Sequence, residues 1–312
     1  MKHIPVAILI FFISQIPFIT FAQDQQAEID SLVILMQTAG REWNDYANPL
    51  IKIGEPAVPG LIGNAEDKNL SQWNRRISVM TLNQIHSPLW KEPALRILLD
   101  KNEDPELRNH VTAGLSGFDL SEVNTELWEL YVEAKNQFHK SNLAGLLLFA
   151  DTALAYKAFH ELYLTQDGHI QRYALQNLIH LRPDESTFWL LDAIQGEDWM
   201  TGNLAMDSLI SSRHFNVEEL ISVYNSSEGH DETQWRIIYI LGHRKETESV
   251  KFLIEALQNE SWLVNNEAAV GLCRFDQTQV LQGMKALKND ARPFVRNNSK
   301  WVISHLHKNV DQ

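Results

Sequence analysis

Aliphatic residues recur along this chain at nearly constant spacing: Leu50, Leu82, Leu115, Leu148, Leu178, Leu209, Leu241, Leu272 and Ile303 lie 30 to 33 residues apart. Four residues before these anchors stands a second column, mostly small: Ser78, Val111, Ala144, Ala174, Ala205, Ala268 and Ser299, with Tyr46 and Ile237 as exceptions. Positions four apart share one face of an α-helix, so a small residue beside each anchor lets helices approach closely. About twenty residues upstream of the anchors runs another apolar helical pattern, carried by Leu61, Leu95, Leu127, Phe159, Leu190, Leu220, Leu253 and Leu281. Each unit therefore predicts two antiparallel helices, neither of which can bury its apolar stripe without neighbours. The fold class predicted is all-α, a solenoid of about nine stacked two-helix repeats, and no hairpin turn or alternating run competes with it.

Between the two predicted helices of a unit stand Asp104, Asp167, Asp198, Asp231 and Asp290, where a carboxylate caps free N–H groups and meets the positive end of the second helix. Six residues before the anchors runs a polar column: Asn44, Arg76, Asn109, Asn142, Arg172, Asn203, Asn266 and Asn297, broken by Trp235. We read that column as structural, a ladder of buried side chains paired with turns or carbonyls of the neighbouring unit.

Two rival repeat families fail on their residues: the tetratricopeptide Trp-x-x-Leu-Gly-x-x-Tyr core and the ankyrin Thr-Pro-Leu-His signature are both missing. The stretch Ile53-Gly54-Glu55-Pro56-Ala57-Val58-Pro59-Gly60-Leu61-Ile62 resembles the opening of a short HEAT repeat, of the kind also found in phycobilisome-lyase-like proteins. Asp104-Pro105-Glu106-Leu107-Arg108 and Phe294-Val295-Arg296 resemble the start of that repeat's second helix. The resemblance covers roughly residues 26 to 307 and implies a protein-interaction scaffold that binds along the concave face lined by second helices. The lyase-like branch implies, as an alternative, an accessory or chromophore-handling role.

Met1-Lys2-His3, an apolar run from Ile4 to Phe21, and small residues at Thr20 and Ala22 form a secretory signal peptide, residues 1–22, cut after Ala22. The alternative is an uncleaved anchor, which Ser14, Gln15 and Pro17 interrupt. Residues 23–312 then form one repeat domain, exported to the periplasm or secreted, with no linker or low-complexity tract to divide it. The lone cysteine, Cys273, excludes an internal disulfide and reads as a core residue. A net charge of −13 makes nucleic acid and anionic membrane surfaces poor partners, and otherwise serves solubility.

Function follows from what remains. No His-Glu-x-x-His, Gly-x-Ser-x-Gly, phosphate-binding glycine loop or paired-cysteine motif is present, so we expect no enzyme, no catalytic residue, no cofactor and no metal. His305 with His307, and His160, Asp167 and His169, are the nearest approaches to a metal cluster and read as surface or capping residues. Trp73, Phe138, Trp199, Trp262 and Phe294 stand nine or ten residues before their anchors. Aligned along one edge, they would stack against a glycan or peptide; alternatively each ring closes the elbow of its own hairpin. Five or two residues before the anchors, His110, Tyr173, Arg236, Tyr239, Glu267 and Trp301 are the candidate binding residues of the concave face, their variety fitting a particular partner or mere solvent exposure. The reading is an exported, non-enzymatic scaffold for an unknown protein partner, with glycan or peptide binding by the aromatic row as the alternative.

Overall fold

The computed structural model describes residues 24–165, 167–212 and 216–308, with residues 307 and 308 described by their backbone alone. The signal peptide expected over residues 1–22 lies outside the described residues. Among the described residues every regular element is helical. Helices α1 (residues 24–36) and α2 (Trp43–Ile53) make the first hairpin, followed by α3 (Val58–Glu66) with α4 (Gln72–Ile85), α5 (Lys91–Leu99) with α6 (Pro105–Leu115), and α7 (Asn124–Glu133) with α8 (Gln137–Leu147). Then come α9 (Thr152–Tyr163) with α10 (Gly168–Leu181), α11 (Ser186–Gln195) with α12 (Trp199–Ser211), and α13 (Val217–Ser226) with α14 (Asp231–Arg244). The last pairs are α15 (Ser249–Ala256) with α16 (Trp262–Leu272), and α17 (Gln277–Leu287) with α18 (Pro293–Lys308).

By packing the chain falls into two units that divide within α9, after Ala158. In the first, α2, α4, α6 and α8 lie side by side as the second helices of successive hairpins; in the second, α10, α12, α14, α16 and α18 do the same. The anchors explain this layering. Leu50, Leu82, Leu115, Leu178, Leu209, Leu241 and Leu272 are wholly buried, as are Leu61, Leu127, Phe159, Leu220 and Leu253 on the first helices. Fully burying one such aliphatic side chain contributes about 1.5–3 kcal/mol.

Three positions depart from the expected register. Leu148 caps α8 half-buried while Leu147 occupies the core, Ile303 yields its place to Val302 and Leu306, and Leu281 yields to Val280 and Met284. Each slip is one helical residue, about 100° of rotation, which a leucine next to another aliphatic residue hides in the sequence.

The caps divide similarly. Asp104 accepts from the Leu107 amide at 2.9 Å, Asp167 from His169 and Ile170 at 3.0 and 3.2 Å, and Asp198 from Thr201 at 2.7 Å. Asp231 is instead the first residue of α14 and caps nothing, because His230 takes the boundary position. Asp290 precedes α18 by a turn and holds the Arg292 amide and guanidinium at 2.9 and 3.0 Å.

The hairpins are closed by buried or half-buried polar side chains one residue earlier than the expected column. Arg75 Nε donates to the Ala65 carbonyl, Arg108 Nε to Leu98 and Gln234 Nε2 to Tyr224, each ten residues back at the end of the preceding helix, at 2.8, 2.8 and 3.3 Å. Asn265 and Arg296 make the shorter version, to Asn259 and Asp290, at 3.0 and 2.7 Å. These bonds satisfy carbonyls that a helix end leaves without an intrahelical partner. The column read as a buried ladder, Asn44 to Asn297, is half-buried or exposed, and among the described residues it forms one rung, from Asn142 to Asn109 at 2.9 Å. The correction has a simple cause: one position further along the helix points away from the hairpin's elbow.

Between hairpins the same carbonyl ends are shared. Arg75 forks onto Glu103 of the next hairpin, Nη1 to Oε1 at 2.8 Å and Nη2 to Oε2 at 2.6 Å, with both side chains buried. Glu103 also accepts from the Asp104 amide at 2.9 Å. In the α11–α12 hairpin the closing position is Gly202, and the guanidinium of Arg236 from α14 fills the room, 2.8 Å from where a Cβ would stand. That guanidinium donates to Ile194 and Gly196 carbonyls at 2.9 and 2.8 Å.

Candidate functional site

The second helices of the last hairpins carry most of the expected binding residues. On α14, Tyr239 is half-buried between Trp235 and His243, with ring centroids 5.7 and 4.0 Å away. On α18, Trp301 is 40% exposed and stacks on His305 at 4.0 Å. Helix α16 lies between them, and its Glu267 pairs with Arg274 at 3.6 Å. Tyr239, Glu267 and Trp301 thus occupy three neighbouring helices.

The other expected residues separate from it. Arg236 is 1% exposed and spent on the carbonyls of α11 and on Glu232, which it meets at 2.5 Å, so it is a structural bond and not a binding residue. Sequence could not show this, since the room that the Arg236 guanidinium fills is left by Gly202 in a neighbouring hairpin. Tyr173, on α10, is 37% exposed and rests edge-on against Phe159 at 5.5 Å, and burial raises its phenol above the ordinary tyrosine range. His110 belongs to the first unit, half-buried on α6, where burial and then Arg76 hold its imidazole below the usual histidine range.

The five aromatics before the second helices stand at the first turns of α4, α8, α12, α16 and α18. Trp73, Phe138, Trp199 and Trp262 are 42, 61, 62 and 72% exposed, so these rings do not close the elbows of their hairpins. Phe294 is half-buried, with the Arg292 guanidinium 5.9 Å from its centroid. In the second unit, α14 lies between α12 and α16 and begins with Asp231, which interrupts the aromatic sequence. Two helix-to-helix steps separate Trp199 from Trp262, roughly 16–20 Å.

His160 packs edge-on against Trp189 at 5.2 Å, while Asp167 is consumed as a cap. The side chain of His307 lies outside the described residues. No group of three or more His, Cys, Asp or Glu suited to a metal ion occurs among the described residues. Cys273 is half-buried, and burial pushes its thiol up to about 11, which leaves little thiolate near neutrality. Among the described residues no helix is long and apolar enough to cross a membrane.

Comparison with known proteins supplies a family for part of this array. Residues 217–304 match the family model described as HEAT repeats, the stretch that holds α13 to α18 as far as Ser304. No curated protein sequence matches the chain. Among solved structures, human deoxyhypusine hydroxylase in complex with glycerol is 14% identical, covers 92% of this chain and 98% of its own, and has a TM-score of 0.36. An engineered protein is 14% identical over 89% of this chain and 88% of its own, with a TM-score of 0.38. A designed armadillo-repeat protein is 12% identical over 80% and 99%, at 0.24. Likeness at this level says nothing of shared chemistry.

Proposed function

We propose that this chain, whose residues 217–304 match a family model of HEAT repeats, is an exported scaffold that binds a protein partner through the second helices of its C-terminal hairpins and catalyses no reaction of its own. The observation that carries the reading is the exposure of large rings on that part of the molecule: Trp262 at 72%, Trp199 at 62% and Trp301 at 40%, with Leu263 at 36% beside Trp262. Exposed tryptophans suit the anchors of a protein interface. HEAT repeats commonly mediate protein interactions, and stacking supplies the extended surface such binding uses. For export the support is the basic start, apolar run and small residues of positions 1–22; N-terminal sequencing of the protein from its own cells should begin at Gln23.

Trp199→Ala and Trp262→Ala, alone and combined, test the surface. Interface tryptophans of this kind cost at least ~2 kcal/mol on truncation, or roughly thirtyfold in affinity. Proteins that co-purify with the wild type should fall away from the double variant, and a purified partner should bind it at least thirtyfold more weakly at unchanged thermal stability. An unaltered set of partners would remove this surface from the reading. A second reading, a glycan laid along the indoles, is favoured by the same exposures; specific glycan retention abolished by the double variant, without protein capture, would select it.

A further inference from the structure

The first unit contains a place where the chain's own bonding pattern is left incomplete. Arg75 and Arg108 are equivalent: each lies seven residues before its anchor, and each spends Nε on the carbonyl ten residues back. The remaining fork of Arg75 is filled by Glu103, the residue just before the Asp104 cap of the following hairpin. In the hairpin after Arg108 the cap is Asn136, and the residue just before it is Lys135. The acid is replaced by a second cation. The Arg108 side chain makes no hydrogen bond or ion pair among the described residues other than that of Nε to Leu98, and the Lys135 side chain makes none.

Around the open fork lies a cleft of about 320 Å³, at the small end of ligand-pocket sizes. Arg108, Asn109, Lys135 and His139 supply its polar rim, and Leu98, Leu130 and Leu143 part of its apolar wall. The lining acid, Glu133, is drawn to Lys101 at 2.9 Å, and Glu106 stands 3.6 Å from His139. A planar guanidinium takes a carboxylate through two parallel hydrogen bonds. Glu103 shows the same position in this chain filled by that group.

We propose that the cleft between the α5–α6 and α7–α8 hairpins is a carboxylate-binding site, in which the acid of a partner polypeptide takes the place on Arg108 that Glu103 holds on Arg75. The site draws on none of the residues of the indole-bearing surface and does not depend on it. Its acid comes from an Asp or Glu side chain or from a free C-terminus, and the probes separate these sources.

The experiment titrates the full chain at constant ionic strength with N-acetylglutamate amide, N-acetylglycine, N-acetylglutamine amide and inorganic phosphate, following the Nε–Hε NMR signal of Arg108. A saturable millimolar response to either carboxylate, absent with the glutamine amide and weaker with phosphate, is expected; the stronger carboxylate identifies the source. Lys135 is exposed, so Lys135→Glu should fold and place an acid on Arg108 from within the chain. It should weaken the probe response at least tenfold. No response, an equal response to the glutamine amide, a preference for phosphate, or an unchanged response in K135E overturns the proposal.

Discussion

Replacing Glu103 by Gln removes the negative half of a buried fork and leaves Arg75, whose side chain is 2% exposed, charged and without a counter-ion. A buried ion pair broken at one partner costs about 3–5 kcal/mol, because the stranded charge keeps its desolvation penalty. At about 2–4 °C per kcal/mol for chains of this size, the melting transition of the first unit should fall by roughly 6–20 °C. Thermal unfolding by circular dichroism measures the loss, and hydrogen exchange places it in α4, α5 and α6. The pair has a signature in pH as well. The Arg75 fork holds the Glu103 carboxyl below its ordinary range. Its stabilisation is therefore fully present above the unfolded carboxylate value, about 4.3, and is lost as pH falls through the lowered folded value. E103Q should lack that part of the acid limb. Arg75→Met combined with Glu103→Leu removes both charges and should cost less than E103Q alone, apart from about 1 kcal/mol for the Ala65 carbonyl left without its donor. A cost below 1 kcal/mol for E103Q, or a double variant as unstable as the single, would refute the reasoning.

Two further outcomes follow from the second unit. A Cβ on Gly242 would lie 2.8 Å from the Gly271 Cα and 3.3 Å from Arg274 Nη1, so Gly242→Ala forces α14 and α16 apart and should destabilise by about 1–3 kcal/mol, read by denaturant unfolding. With its thiol raised to about 11, native Cys273 should react with a thiol reagent at pH 8 far more slowly than the denatured chain; equal rates would contradict its burial.

The repeat was legible because burial imposes it: Leu209 and Leu241 must sit at zero exposure in successive units, so their spacing survives in the sequence. The one-residue slips at Leu147 and Val302 were not, since two adjacent aliphatic residues satisfy a pattern equally until packing selects one. The polar column was misplaced for a related reason. Asn44 and Asn297 recur visibly because solvent tolerates them, whereas the closing residue varies among Arg75, Arg108, Gln234 and Asn265 and is recognised by its reach across the elbow. For the candidate residues, three on α14, α16 and α18 could be grouped from their register, but the burial of Arg236 depended on Gly202 in a neighbouring hairpin and had no local signal.

The paired glycines of α14 and α16 carry a kinetic consequence. Where two backbones touch without intervening side chains, little rotamer freedom remains to be frozen, and many short-range attractions switch on together as the helices meet. In a quasi-one-dimensional array, order can start anywhere and spread. The Gly242–Gly271 seam is a natural nucleus for the C-terminal unit, from which ordering would propagate outward in both directions.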